Sequence, residues 1–394
     1  MLRLYILAAM TGTSLGLWYF LPYFILDLEG GLLEVGFLAT VPGLVAALVQ
    51  LSIGNAVEAS GSSKDLLVLG FLLCATLSIP MLLASSAWSA ILVATVLEPF
   101  NSITIIWGIP SQLYLTALTP QAWRSRIVAV YYTAWYVGNI AGAFLAGHLA
   151  QTNWGLVFAA FAGLNLLSSL FLKHLLPGTG RHEGVRYRDI LRSLFDGRTF
   201  LNALRQLRAR FRGLPREYAR FSLGVPIRSV GVSMVMPITA IYLAEVLQAP
   251  KPVIATMTAF GMLARIIPAP LVGWIADHWG RKRVFLAGLV LTMLYPAIYV
   301  SAPDTTRLYP AYALMGLGWA CNQATFLAWQ MALVPDRRGT SIALLSFLNN
   351  FAWAFGPSIG GLLGEFAGIW WGVIVSILVE AVGLAVLLRV PEAI

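Results

Sequence analysis

Twelve stretches of the chain are unbroken apolar runs: 4–26, 31–54, 66–84, 88–117, 127–150, 153–175, 221–247, 252–275, 284–302, 308–333, 340–364 and 368–389. A helix needs about 20 such residues to cross a hydrocarbon layer of about 30 Å. Inside that layer backbone groups are satisfied only in helices or closed barrels, and barrel strands alternate in polarity over about ten residues. These runs do not alternate, so the predicted fold is all-α: a polytopic membrane protein of twelve transmembrane helices in two six-helix bundles. Charged residues make up 11% of the chain, against about 25% in ordinary soluble domains. The first run has only Arg3 before it and no small-residue cleavage site after it, so it reads as a retained helix rather than a signal peptide.

A net charge of +9 could suggest a nucleic-acid partner until the 26 basic residues are placed on this map. With the N-terminus inside, all fall on the inner side except Lys251 and Arg307, expected outside, and Arg228 and Arg265, within helices. The positive-inside rule then predicts a multi-pass inner (plasma) membrane protein with both termini cytoplasmic. The basic balance is topology, and no nucleic acid is expected. Cys74 and Cys321 sit in apolar runs with no metal-like spacing, so no disulfide, metal or cofactor is expected. The four histidines pair with no nucleophile, and no phosphate-binding Gly-rich loop is present, which argues against an enzyme.

The one long polar segment carries eleven arginines and divides the chain into a first bundle at 1–176, a basic cytoplasmic linker at 177–220 and a second bundle at 221–394. Within the linker, Ile190, Leu191, Leu194, Phe195, Leu201, Leu204 and Phe211 recur at helical spacing, which predicts an amphipathic helix on the membrane surface.

The halves repeat each other. GNAVEASGSSK at 54–64 aligns with GWIADHWGRKR at 273–283, pairing Gly54 with Gly273, Glu58 with Asp277, Gly61 with Gly280 and Lys64 with Arg283. Gly16 and Pro22 pair with Gly231 and Pro237, and Arg124 and Gly142 with Arg338 and Gly356. Six helices, a basic loop, six helices and Gly-x-x-x-Asp-x-x-Gly-Arg-Lys-Arg after the eighth resemble the major facilitator superfamily. Here the stronger copy of that signature lies in the second half, and the first copy has Glu58, Ser62 and Ser63 where the motif carries Asp and basic residues.

The resemblance implies a gating role for Gly54, Glu58, Gly61, Gly273, Asp277, Gly280, Arg281 and Arg283, with each loop docking on the opposite half near Arg124 or Arg338. Asp277 at a helix N-terminus would be stabilised by about 0.3–1 kcal/mol. Gly273 would allow close helix approach and Gly280 a tight turn.

The resemblance also implies that helices 1, 4, 7 and 10 line a central cavity, with 5 and 11 at the interface of the halves. Glu98, Asn101, Ile105, Gly108 and Gln112 share a face of helix 4 by spacing, and Trp319, Asn322, Gln323, Phe326 and Gln330 one of helix 10. Helix 1 adds Ser14 and Trp18. Helices 5 and 11 add Tyr132, Trp135 and Asn139, then Asn349, Asn350 and Trp353. A charge deep in a bilayer costs at least about 2.5–3.5 kcal/mol and is usually paired or wetted. Glu98 is therefore the expected proton-coupling group, and Arg265 its partner or a ligand for an anion. Arg228 either joins that ligand set or snorkels to the inner surface. Glu34, Glu245, Glu365 and Glu380 read as interfacial or structural.

The expected function is secondary active transport of a small organic solute by alternating access. Proton-coupled export of amphiphilic, drug-like compounds by antiport stands beside transport of an organic anion held by Arg228 and Arg265. A non-transporting receptor or scaffold is the reading from another class. Protons are the expected coupling ion, the bilayer the expected surroundings and a monomer the expected working unit. A cysteine placed at Ser62 is expected to react with a membrane-impermeant maleimide in inside-out vesicles but not in intact cells; labelling in intact cells would reverse the topology.

Overall fold

The computed structural model describes residues 1–60, 63–106, 108–120, 124–178, 215–334 and 338–392. Each of the twelve apolar runs is helical, and the described residues include no strand. Nine spans among them are long and apolar enough to cross a membrane. The amphipathic linker helix expected around 190–211 lies outside the described residues.

The helices are α1 (Leu2–Trp18), α2 (Leu21–Asp27), α3 (Leu32–Ser60), α4 (Ser63–Leu77), α5 (Ala87–Thr104), α6 (Ile109–Leu118), α7 (Arg124–Thr152) and α8 (Trp154–Leu175). After the linker come α9 (Arg216–Ile241), α10 (Lys251–Ile266), α11 (Ala269–Trp279), α12 (Arg281–Val300), α13 (Tyr309–Leu333), α14 (Arg338–Ala367) and α15 (Ile369–Leu388).

Several passages are thus two helices. The fourth run differs most from its expected continuous form: α5 ends with Ile105 in extended backbone, Gly108 is extended too, and α6 starts with Pro110 in its first turn. Proline offers no amide hydrogen and disfavours helix in the residue before it. The freed carbonyls are taken up locally. Gln112 Nε2 donates to the Ile106 oxygen at 2.6 Å and Ser111 Oγ to the Thr104 oxygen at 3.4 Å. The stripe from Glu98 to Gln112 is therefore cut, with Ile105 and Gly108 in the break.

The chain forms two compact units, one of Met1–Phe24 and Val45–Arg205, the other of Ile25–Leu44 and Gln206–Ile394. In the first, α1 packs on α7 with the backbones almost touching. A methyl group at Gly138 would stand 2.0 Å from the Ala9 oxygen, and one at Gly142 would stand 2.1 Å from the Thr13 oxygen. In the second, α9 packs on α14 the same way. A methyl at Gly356 would lie 2.5 Å from the Val230 oxygen and one at Gly360 would lie 1.8 Å from the Met234 oxygen. Gly142 and Gly356, paired in the internal repeat, thus do the same job. Between apolar helices in apolar solvent, dispersion and close backbone approach supply the association energy.

The second unit is filled by Tyr218, Phe221, Phe285 and Trp329 at one end of α9. Toward the other end the first part of α3 lies on α14, where the Ser358 amide donates to Thr40 Oγ1 at 3.1 Å. Gly142→Ala and Gly360→Ala are each expected to cost about 1–3 kcal/mol through overpacking, seen as a lower melting temperature in detergent. Gly163→Ala, where a methyl meets nothing within 4 Å, should show no such overpacking loss.

Candidate functional site

In the first unit the break after α5 sets the chemistry. Trp18 Nε1 from α1 and Asn101 Nδ2 one turn along α5 both donate to Glu98 Oε2 at 3.2 Å. The Trp18 ring is held against Phe161, 5.1 Å between centroids. Glu98 is half-buried, and both of these partners are neutral donors. Beside it a water-sized space of about 10 Å³ is lined by Ser14, Asn101, Thr104, Trp135 and Asn165.

The other expected residues of this unit are spread more widely. Gln112 donates to the Tyr132 hydroxyl at 2.9 Å. Trp135 is buried edge-on to Tyr136. Asn139 is fully buried with neither amide atom hydrogen-bonded. The helix seam accounts for its position, since a methyl at Gly16 would meet the Asn139 carbonyl oxygen at 2.3 Å.

The second unit holds a true cavity, about 180 Å³, lined by Arg228, Arg265, Trp319, Asn322, Gln323 and Asn349 together with Val225, Ser229, Phe285, Phe326 and Trp353. Both guanidiniums face the Trp319 ring, Arg228 at 5.3 Å and Arg265 at 4.9 Å from its centroid. Such contacts contribute about 0.5–2 kcal/mol, more as water is excluded. Arg265 Nε also donates to Gln323 Oε1 at 3.0 Å, and Ser229 Oγ donates to Asn349 Oδ1 at 2.6 Å. Trp353 closes the wall 5.6 Å from Trp319. Asn350, beside Asn349, does not line the cavity.

Arg228 is 5% exposed, which rules out the snorkelling reading; its Nε and Nη2 have no hydrogen-bond partner, and neither do the two amide atoms of buried Asn322. Each such group costs about 1–3 kcal/mol, more if charged. The open donors of Arg228 and Asn322 beside one aromatic wall suit an anionic group on an apolar body.

The charged loop is less engaged. Asp277 is exposed, as are Arg281 and Arg283. Gly280 ends α11 at φ 98°, ψ 139°, a conformation that favours glycine. At Gly273 a methyl would meet nothing within 4 Å among the described residues. Gly61 and the side chains of Glu58, Arg124 and Arg338 lie outside the described residues, while Gly54 is helical within α3.

Of the two readings open for Glu380, interfacial or structural, the structure fits the second: it is 1% exposed on α15, and Thr292 Oγ1 donates to its Oε2 at 3.2 Å. Its position midway along a twenty-residue helix was the available signal.

Comparison with known proteins gives a consistent picture. The family model described as "Major Facilitator Superfamily" matches residues 4–211 and 221–393. The "Putative multidrug resistance protein MdtD" of Escherichia coli (strain K12) is 30% identical over 133 residues, 33% of this chain and 28% of that one. The protein of the same name from Yersinia enterocolitica serotype O:8 is 27% identical over the same length, again 33% and 28%. The match therefore spans just over a quarter of these relatives. Among solved structures, the nucleoside transporter NupG superposes with a TM-score of 0.74 at 14% identity, covering 98% of this chain and 97% of its own. The peptide transporter POT in complex with sulfate gives 0.71 at 16%, covering 99% and 94%.

Proposed function

The chain belongs to the major facilitator superfamily, and from that footing we propose that it is a proton-coupled secondary transporter working by alternating access on amphiphilic organic anions. The observation that carries this reading is the pair of guanidiniums, Arg228 and Arg265, that line the cavity of about 180 Å³ and share the Trp319 ring. Guanidinium groups bind carboxylate, sulfonate or phosphate through paired N–H donors. Trp319, Trp353 and Phe326 would take the apolar body. The cavity is large enough for one aromatic ring with its acidic substituent, and Asn322 and Asn349 supply the remaining polar contacts.

Glu98 is the proposed proton carrier. It is a half-buried carboxylate whose partners are neutral donors, so it can accept a proton without breaking an ion pair. The transporter is proposed to sit in the inner membrane as a monomer, with both termini cytoplasmic.

A second reading, export of neutral or cationic drug-like compounds, is favoured by the aromatic wall and by what the name MdtD says of that protein. The two readings separate on one variant. In Arg265→Ala, binding of benzenesulfonate or benzoate, followed by thermal shift, is expected to weaken at least tenfold, about 1.4 kcal/mol. Unchanged anion binding beside strong binding of a lipophilic cation would support the second reading.

Coupling has its own test. In proteoliposomes Glu98→Gln is expected to lose accumulation driven by a pH gradient while keeping solute exchange at equal pH. If gradient-driven accumulation survives, the proton travels elsewhere.

A further inference from the structure

The buried charge that this mechanism leaves unused is Glu380. It lies where α15 and α9 come closest, and the two helices place their charges reciprocally. A methyl at Gly231 of α9 would stand 2.6 Å from the Glu380 side chain, and one at Gly383 of α15 would stand 2.8 Å from Arg228. Each charged residue thus lies against a glycine of the facing helix, three positions from that helix's own charge. Arg228 and Glu380 are thus opposite charges on facing helices, and Arg228 Nε and Nη2 and Glu380 Oε1 make no hydrogen bond. Of the elements packed on α15, α9 presents Arg228, α12 presents the neutral Thr292, and α14 meets it at Gly360. Arg228 is therefore the charge that faces Glu380 among the described residues.

Arg228 lines the cavity and Glu380 does not. An anion arriving at Arg228 therefore competes with Glu380 for one guanidinium. Two anionic groups sharing one cation in an apolar setting cannot both remain charged cheaply, and the carboxylate can be relieved by a proton.

We propose that Glu380 is the resting counter-charge of Arg228 and takes up one proton from water each time an anion occupies the cavity. A hydronium ion gives its proton to a Glu380 oxygen and leaves as water, and the anion replaces the carboxylate opposite Arg228. The net charge of the unit is the same before and after. This rests on the anion reading of the cavity, and it makes Glu380 a positioning residue that acts through Arg228 and ties occupancy to pH.

The test uses the full chain in detergent, with benzenesulfonate as probe because it stays anionic across the working pH range. Calorimetric titration in buffers of different ionisation enthalpy counts the protons taken up. The wild type is expected to take up close to one proton per anion wherever Glu380 begins charged, so that affinity falls up to tenfold for each unit rise in pH. Glu380→Gln should bind with no uptake and no such slope. Thr292→Val, which keeps the carboxyl and removes the hydroxyl beside it, should retain the uptake and shift its pH midpoint. Uptake that persists in Glu380→Gln, anion binding by the wild type without uptake, or an unmoved midpoint in Thr292→Val overturns the proposal while leaving the anion site in place. If the wild type binds no benzenesulfonate at any pH, the anion reading itself falls, and this proposal with it.

Discussion

Hydrocarbon offers no hydrogen bonds, so a chain that lives in it must satisfy its own backbone before anything else. The whole architecture follows from that rule. It forces every apolar run into helix, and it leaves the helices without a hydrophobic drive to associate, since lipid is as apolar as they are. What remains is contact area, and the seams of α1 with α7 and of α9 with α14 obtain it by removing side chains at glycine. Where the rule is relaxed, between Ile105 and Gly108, the side chains of Gln112 and Ser111 take the carbonyls that a helix would have used. That exception lies within two turns of Glu98.

The two units handle charge differently. In the first, one carboxylate is met by two neutral N–H donors, Trp18 and Asn101. In the second, two guanidiniums share an indole, and several donors around them are unfilled. Helices packed in equivalent ways therefore carry opposite electrostatic characters. The internal repeat explains the scaffold, and the departures from it explain the chemistry.

Much of this was legible in the sequence. Apolar length gave the helices, and the glycine pairs in the repeat anticipated the seams, since Gly142 and Gly356 hold equivalent places. Spacing also grouped Trp319, Asn322 and Gln323, and charge in an apolar run singled out Arg228 and Arg265; all five line one cavity. Three things were not legible. Helical spacing alone could not show that Pro110 would split the fourth passage. Gly273 looked like a packing glycine, yet no described residue comes within 4 Å of a methyl placed there. Glu380 could be read only as interfacial or structural, because Arg228 and Thr292, which face it, come from helices far away in sequence. Spacing along one helix says which residues share a face, not what that face meets.

The opposition of Arg228 to Glu380 also bears on how the protein is made. An arginine near the middle of a membrane helix is costly until it finds a counter-charge. Here that counter-charge is about 150 residues downstream, in α15. At about 5–20 residues per second, Arg228 waits roughly ten to thirty seconds in the insertion machinery or against lipid. The second bundle is thus complete only once α15 has been made, and a chain truncated before α15 carries a cation without that counter-charge.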